Sequence, residues 1–189
     1  MNYSFFKEDY INAVNKTYRG KGAVGKNAIV PRIVERIAKP TDRILDFGSG
    51  KIPYHTLALR KKGLQVDAWE IGDNFNRMVH LSACKSYSHD IVFASNVMNV
   101  QRNPGDIVFV LNTSCIFLKK SGILIFNYPA SPRKSDLSTE EFREGIVWWC
   151  DNVYGYKHPI QIAGTKNAPV YLVSHRSITP MELFLSKGA

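Results

Sequence analysis

The chain is poor in the features that mark membrane, disulfide-bonded and metal-binding proteins. It has no apolar run long enough to span a bilayer, and its first residues mix aromatic and charged side chains, unlike a signal segment. Cys84, Cys115 and Cys150 are odd in number and far apart, so neither a disulfide framework nor a zinc knuckle is predicted. The five histidines show no metal-ligand spacing. We therefore expect a soluble, cytoplasmic protein with reduced thiols, no membrane contact and no metal site.

The composition is that of one globular domain with an excess of basic residues. At 189 residues and 44% hydrophobic residues, the chain is long enough to bury a full core, and no repeat or low-complexity tract divides it. We therefore expect a single domain over residues 1–189. The net charge of +9 favours nucleic acid or another polyanion as a partner, although solvated basic faces would give the same value. The composition does not predict an oligomeric state.

Residues 1–30 form a predicted N-terminal helix and a segment rich in glycine and lysine. Apolar residues at helical spacing predict the helix over 4–16, and glycines and lysines then alternate through 16–26. Two interpretations of the second segment are equally supported. It is either a mobile lid that covers a ligand or contacts a phosphate, or a solvated linker.

Helical and strand patterns alternate along the rest of the chain. Residues 71–89 predict only a short helix and loops. Elsewhere the strongest signals mark helix ends: Pro53 and Gly63 are expected at the two ends of one helix. A capping box that begins at Ser138 marks the start of another helix. Tyr54, Leu57 and Ala58 are the predicted apolar side of the Pro53 helix. Helices are predicted near 29–37, 53–63, 104–118 and from 138, and strands at 43–47, 64–70, 90–95, 122–127, 159–162 and 170–173. This order predicts an α/β fold: a single doubly wound, mostly parallel sheet with an antiparallel strand pair at its C-terminal end.

The stretch from Ile44 to Gly50 predicts a buried strand that leads into a glycine turn. Asp46 is unusual there, because a carboxylate in a strand covered on both faces is costly without a partner. Gly48 and Gly50 permit a sharp turn and close approach of a ligand to the backbone. In open α/β sheets, ligands bind at the carboxyl ends of strands such as this one.

Two further strand ends supply polar residues that should meet at the same crevice. Glu70 lies 70 − 46 = 24 positions beyond Asp46, a spacing suited to a ribose contact, and Ser95 and Asn96 end the third strand. A dinucleotide is disfavoured, because Pro53 stands where its fingerprint needs a third glycine. A carboxylate at Asp46 would also repel a pyrophosphate. The residues instead favour a cationic ligand that carries a ribose, which points to S-adenosylmethionine.

The sequence resembles the class I S-adenosylmethionine-dependent methyltransferases between residues 43 and 127. The resemblance rests on Asp46-Phe47-Gly48-Ser49-Gly50, on Glu70, and on Asp90 to Val97. It implies a Rossmann-like methyltransferase fold with S-adenosylmethionine as cofactor. It also implies that Asp46 and the Gly48-Ser49-Gly50 turn hold the methionine part, that Glu70 holds the ribose, and that Ser95 and Asn96 line the methyl-transfer side. A narrower likeness, over 95–100 and 127–133, is to small methyltransferases of bacteria and phages.

The sequence departs from the family pattern in two places. Ile52 occupies the position of the usual third glycine, and neither the third strand nor its adenine-contacting acidic residue is recognisable between 71 and 89. Asp73, Asn74 and the backbone near Tyr87 are the alternatives for the adenine contact.

Three residues are candidates for direct roles in methyl transfer to a nitrogen or oxygen acceptor. Asn96 is expected on the transfer side, and His55 and His89 are expected near the crevice, where one could act as general base.

Each of these residues also has a purely structural interpretation. Asp46 could cap the glycine turn through its backbone amides, and Glu70 could be a surface carboxylate paired with Lys51 or Lys62. Two other functions also remain open. The chain could bind S-adenosylmethionine to degrade or sense it, or it could be a basic nucleic-acid-binding module without catalysis.

Overall fold

The computed structural model describes residues 28–71, 74–81, 85–131, 133–155 and 157–175. The predicted N-terminal helix, the glycine- and lysine-rich segment, Asp73 and Cys84 lie outside these ranges. The helices are α1 (Ile29–Ile37), α2 (Tyr54–Arg60), α3 (Pro104–Phe117) and α4 (Thr139–Trp149), which continues as a π-helical turn over Cys150–Tyr154. The strands are β1 (Arg43–Phe47), β2 (Gln65–Trp69), β3 (His89–Ala94), β4 (Leu118–Asn127), β5 (Ile160–Thr165) and β6 (Ala168–Ser174). None of the helices described here has the length and apolar character needed to cross a bilayer.

One six-stranded sheet organises the molecule. Its strand order is β2-β1-β3-β4-β6-β5, and the first four strands are mutually parallel. Strand β6 runs antiparallel to both β4 and β5. The predicted fold class is therefore confirmed, including the antiparallel pair at the C-terminal end. The strand order changes direction between β1 and β3, so their carboxyl ends open a crevice of the kind that binds ligands in α/β proteins.

Helices cover both faces of the sheet, and alternate strand residues supply the two cores. On one face, Ile44 and Ile91 pack with α1 and with Leu59 of α2. On the other face, Leu45 and Val92 pack with α3 and α4. Because side chains alternate along a strand, Asp46 lies on the same face as Ile44 and is therefore directed toward α2.

Strand β2 ends the sheet, and two carbonyls on its outer edge accept hydrogen bonds from elsewhere in the chain. The carbonyl of Trp69 faces β1, because it accepts from the N–H of Gly48, so the alternating carbonyls of Val66 and Ala68 face outward. Arg60 Nε donates to Val66 O at 2.6 Å, and the backbone N–H of Leu81 donates to Ala68 O at 2.9 Å. An open strand edge is prone to pairing with another chain. These two donors occupy the outward carbonyls of Val66 and Ala68, which reduces the tendency of this edge to pair.

Most predicted helices and strands are confirmed, and three details differ. Tyr54, Leu57 and Ala58 are exposed, whereas the buried side of α2 is formed by Thr56 and Leu59. The apolar spacing was misleading, because this seven-residue helix directs Thr56 to the sheet to meet a buried carboxylate. Strand β3 begins at His89, one residue before the predicted Asp90, and within the described parts of the 71–89 segment Asn74 is helical. Strand β4 starts at Leu118, directly after α3, four residues before the predicted Gly122.

A charged cluster closes the amino ends of the strands, at the edge opposite the crevice. The ring of His89 is buried, and its Nε2 lies 3.1 Å from Oδ2 of Asp67. Its Nδ1 lies 3.0 Å from Ser88 Oγ, which itself donates to Lys85 O at 2.6 Å. Both ring nitrogens of His89 therefore have a polar partner inside the protein. The hydrogen bond from His89 lowers the pKa of Asp67, with Arg43 contributing in the same direction against the opposing effect of burial.

Candidate functional site

The turn after β1 requires glycine at both of its glycine positions. Gly48 and Gly50 have φ values of 72° and 77°, in the left-handed region. At Gly48 there is also no room for a side chain, because a Cβ atom would lie 2.7 Å from Cγ2 of Val97. The turn is therefore pressed against the segment that follows β3, which brings the ends of these two neighbouring strands together.

The backbone N–H groups of this turn are already used within the protein. Those of Gly48 and Ser49 donate to Trp69 O at 3.0 and 3.2 Å, and that of Gly50 donates to Oε2 of Glu70 at 2.7 Å. The Ser49 hydroxyl also donates to Trp69 O, at 3.3 Å. A phosphate-binding turn needs free N–H groups directed at the anion. This turn therefore leaves space for a ligand beside the backbone, but its N–H groups are not available to bind an anion.

Asp46 is a fully buried carboxylate beside the turn. It is 1% exposed, and its Oδ2 accepts a hydrogen bond of 2.8 Å from the hydroxyl of Thr56 on α2. Burial raises its pKa to about 7, the charge of Glu70 acts in the same direction, and the Thr56 hydrogen bond opposes both. Asp46 does not cap the amides of the glycine turn, which Trp69 and Glu70 accept; the backbone contact that lowers its pKa comes from Thr56. No basic side chain among the described residues pairs with Asp46, so a cationic ligand would supply its missing partner.

Glu70 is buried at the end of β2, and the backbone fixes its carboxylate. It is 8% exposed, and Oε1 accepts the N–H of Ile71 at 2.9 Å while Oε2 accepts that of Gly50. Burial raises its pKa, and these two hydrogen bonds act against the shift. The surface interpretation is wrong, because Lys62 pairs with Glu35 instead. Each oxygen keeps further capacity to accept, so the carboxylate can hold two hydroxyl groups of a ligand.

Ser95 and Asn96 follow β3 at the same edge of the sheet. The Ser95 side chain is 7% exposed, and its Oγ has no hydrogen-bond partner among the described residues. Asn96 has a φ of 57°, which is uncommon outside glycine and is concentrated at functional sites. Its backbone N–H donates to Oδ1 of Asn127, and Asn127 Nδ2 donates to Oδ1 of Asn96, both at 2.7 Å. This pair joins the ends of β3 and β4.

His80 also lies at the site, although no pattern in the sequence indicates it. The backbone N–H of Asn76 donates to its Nδ1 at 2.9 Å, so the proton lies on Nε2, which donates to Gly50 O at 2.9 Å. Burial lowers the pKa of His80, although both hydrogen bonds oppose the shift. The neutral ring therefore ties the loop after β2 to the glycine turn. A lone histidine in an irregular segment has no periodicity or motif by which sequence reasoning could find it.

Other candidate residues differ in where the structure places them. His55 lies in the first turn of α2, near the crevice as expected, and burial lowers its pKa. The expected position of His89 near the crevice is wrong, because it begins β3 and belongs to the cluster at the opposite edge. Tyr87 is also far from the crevice, since its N–H bonds to Ile116 O at the end of α3. Asn74 is half-buried in the loop after β2.

The segment after β4 is held in place by Arg133. Its guanidinium lies 4.0 Å from the ring centroid of Tyr128, and it donates to Pro129 O at 2.6 Å and to Asn167 O at 2.8 Å. Tyr128 in turn stacks on Phe142 of α4, with ring centroids 3.9 Å apart. These contacts fix the wall beside Asn127.

Comparison with solved structures places the fold among known proteins. No protein-family model matches the sequence, and no curated protein does either. A solved 16S rRNA N2 methyltransferase, RsmC of T. thermophilus, in complex with AdoMet and guanosine, superposes with a TM-score of 0.54 at 16% identity over 82% of this chain. This chain covers only 41% of that one. A TehB-like SAM-dependent methyltransferase of Corynebacterium glutamicum has a TM-score of 0.54 at 14% identity, with 89% of this chain and 99% of the other covered.

A third solved structure agrees with these two. A SAM-dependent methyltransferase of Aquifex aeolicus has a TM-score of 0.52 at 12% identity, and 89% of this chain and 98% of that one are covered. The chain has the Rossmann-like fold of S-adenosylmethionine-dependent methyltransferases. The resemblance noted from the motifs is confirmed at the level of the fold. At these identities the likeness does not extend to individual residues, so the roles of Asp46, Glu70 and Asn96 stay predictions.

Proposed function

We propose that this protein is an S-adenosylmethionine-dependent methyltransferase that transfers the methyl group to a nitrogen or oxygen acceptor. One observation carries the proposal: the carboxyl ends of β1, β2 and β3 bring a glycine turn, two buried carboxylates and a hydroxyl without a partner among the described residues to one crevice. That crevice lies in the fold of known methyltransferases. A nucleic-acid-binding module without catalysis would not need two carboxylates kept out of water at a strand edge.

The described residues fit this cofactor in charge and in hydrogen-bonding capacity. Asp46, which lacks a basic partner, suits the ammonium group and the nearby sulfonium of the cofactor. Glu70 retains an acceptor site on each oxygen for the ribose hydroxyls. Gly48 and Gly50 leave space for the methionine chain, with Ser49 between them. Ser95 and Asn96 line the side from which the acceptor approaches.

The cofactor supplies a methyl group on a positively charged sulfur, and the protein's contribution is alignment and exclusion of water. The glycine turn and the pair of Asn96 and Asn127 fix the two walls of the crevice. Effective molarities on the order of 10⁵ M or higher are available from such positioning. A general base is needed only when the acceptor carries a proton that must leave. His55, which burial holds in its neutral form, is the candidate for that role.

Nucleic acid is the acceptor class that the charge of the chain favours. The net charge of +9 would draw a polyanion toward the protein. One solved structure with the same fold is an rRNA methyltransferase whose complex contains guanosine. We therefore propose RNA or DNA as the first acceptor class to test.

Titration calorimetry with S-adenosylmethionine tests the cofactor assignment. We expect binding to the wild type and at least a tenfold loss in Asp46→Asn, because the variant removes the charge opposite the ammonium group. Asp67→Asn is the matched control, since it makes the same chemical change at the opposite edge of the sheet, and it should bind as the wild type does. Absence of binding at millimolar cofactor would contradict the proposal.

Transfer is tested separately with cofactor that carries a tritium-labelled methyl group. Label should enter RNA or DNA, and S-adenosylhomocysteine should form in equal amount. Binding followed by cofactor breakdown without a labelled acceptor would support the alternative that the protein degrades the cofactor. An affinity for nucleic acid that does not change with salt would argue against contacts to phosphates.

A further inference from the structure

The two asparagines at the ends of β3 and β4 hold each other in one defined orientation. The backbone N–H of Asn96 can only donate, so the atom of Asn127 that faces it at 2.7 Å must be the carbonyl oxygen Oδ1. This fixes Nδ2 of Asn127 on the other side of the amide. Nδ2 can only donate as well, so the atom of Asn96 that faces it at 2.7 Å must be Oδ1. The usual ambiguity of an amide orientation is thus removed by a backbone donor.

The consequence is that the oxygen of the Asn96 amide is used inside the protein and its nitrogen is not. Within the described part of the chain, Nδ2 of Asn96 has no hydrogen-bond acceptor. The residue is half-buried, and its left-handed backbone holds the side chain against Asn127. The pair therefore leaves a fixed donor at the end of β3.

A second observation supports a ligand at this place. The adjacent hydroxyl, Ser95 Oγ, is buried and has no partner in the described residues. An unpartnered buried polar atom costs stability, and native proteins keep few of them. Val97, on the other side of Asn96, packs against Gly48 of the turn. The donor of Asn96 and the hydroxyl of Ser95 thus lie next to the turn proposed to hold the cofactor.

We propose that Asn96 presents the N–H donors of its side chain to the methyl acceptor and that Asn127 is the positioning residue that sets this orientation. The acceptor is then bound through an atom with a lone pair, such as a carbonyl, hydroxyl or phenolate oxygen or an unprotonated ring nitrogen. An amine bound through its own N–H groups would have to share the Asn96 oxygen with Nδ2 of Asn127, whereas the nitrogen of Asn96 is wholly available to a ligand. This inference rests on the proposed function, and it narrows the acceptor class of the same site.

The test uses two neutral ring molecules of similar size as probes. Pyridine offers only a lone pair, and pyrrole offers only an N–H donor. Each is titrated into protein saturated with S-adenosylhomocysteine, at a pH where pyridine is uncharged, and the side-chain amide signals of ¹⁵N-labelled asparagine are followed by NMR. Saturation with S-adenosylhomocysteine is checked first by calorimetry, so failure of the proposed function is recognised before the probes are added.

For the wild type, we expect pyridine to shift the Asn96 amide signal saturably, with an affinity about fivefold higher than that of pyrrole. In Asn127→Asp both oxygens of the new side chain accept, so Asn96 must turn its nitrogen toward them and expose its oxygen. The preference should then reverse in favour of pyrrole. Asn127→Ala releases the Asn96 amide, and the two probes should bind within about twofold of each other. Thermal melts of both variants establish that they fold.

Three results would overturn the inference. The first is a wild-type preference for pyrrole. The second is the absence of a saturable effect of pyridine on the Asn96 signal in protein that has bound S-adenosylhomocysteine. The third is an unchanged preference for pyridine in a folded Asn127→Asp variant.

Discussion

Cofactor binding should be coupled to the loss of a proton from Asp46. The buried carboxyl has a pKa of about 7 because of its burial and the charge of Glu70, so it is largely protonated in the free protein below neutral pH. A bound ammonium group would stabilise the ionised form and expel that proton. Affinity should therefore increase as pH rises toward about 7, as long as the amine of the ligand stays charged. Calorimetry in buffers of different ionisation enthalpy should find that the wild type releases more protons than Asp46→Asn, by ~0.9 at about pH 6 and by ~0.1 at about pH 8.

Ionisation of the Asp46 carboxyl should lower the stability of the folded protein, and this effect can be measured without the cofactor. The pKa of Asp46 is about 7 in the folded protein and 3.8 for an ordinary aspartate. The protonated carboxyl therefore stabilises the fold fully below pH 3.8. This stabilisation is lost as the pH rises through about 7. At about 1.4 kcal/mol for each pH unit, the difference amounts to about 4 kcal/mol. Asp46→Asn keeps an acceptor for the Thr56 hydroxyl and removes the titration. We therefore expect the variant to be more stable than the wild type at about pH 8, by up to ~4 kcal/mol in urea unfolding.

The Asp46→Asn variant also separates this effect from other titrating groups. The amine of the ligand titrates in both proteins, and burial raises the pKa of Glu70 in both. Only the difference in proton release between wild type and variant belongs to Asp46. The reasoning would be refuted by equal proton release in the two proteins, or by a variant that is less stable than the wild type at about pH 8.

Two further predictions test the turn and the opposite edge of the sheet. Gly48→Ala places a methyl group 2.7 Å from Cγ2 of Val97 at a φ of 72°, and it should lower the free energy of unfolding by about 1–3 kcal/mol in urea titrations. Adding Val97→Ala should restore only part of this loss, and a Gly48→Ala variant as stable as wild type would mean that the turn adapts freely. His89 lowers the pKa of Asp67, so that carboxylate stabilises the fold above its ordinary pKa, and the stabilisation is lost as pH falls through the lowered value. Acid unfolding followed by circular dichroism should show a weaker pH dependence in Asp67→Asn, and identical curves would exclude this contribution.

The sequence predicted the parts of the fold that follow from local pattern. The capping box at Ser138 and Glu141 is present in full, and the alternation of helices and strands gave the correct sheet. Failures came where tertiary contacts override local pattern. The apolar spacing of Tyr54 and Leu57 did not reveal that Thr56 faces the sheet, because the reason lies in a carboxylate ten residues earlier.

The placement of Asp46, Glu70 and Asn96 at strand ends was predictable from the sequence, and their hydrogen bonds were not. Asp46, Glu70 and Asn96 were identified because strand ends converge in any doubly wound sheet. The pairing of Asn96 with Asn127 spans 31 positions, and His80 reaches Gly50 across 30. Contacts at such separations leave no periodic trace in the sequence. His89 was misplaced for a different reason, since the predicted strand at 90–95 already put residue 89 at the amino end, opposite the crevice.

The choice of a cationic ligand over an anionic one is built into the turn in two independent ways. A buried carboxylate lies beside it, and its own N–H groups are given to Trp69 and Glu70. Either feature alone would weaken phosphate binding, and together they remove both the charge and the donors that a phosphate needs. Glu70 connects the two, because the oxygen that accepts from Gly50 belongs to the carboxylate whose charge helps to raise the pKa of Asp46. The Glu70 side chain thus binds the turn, is proposed to accept from the ribose hydroxyls, and raises the pKa of Asp46, the carboxyl proposed to contact the ammonium group.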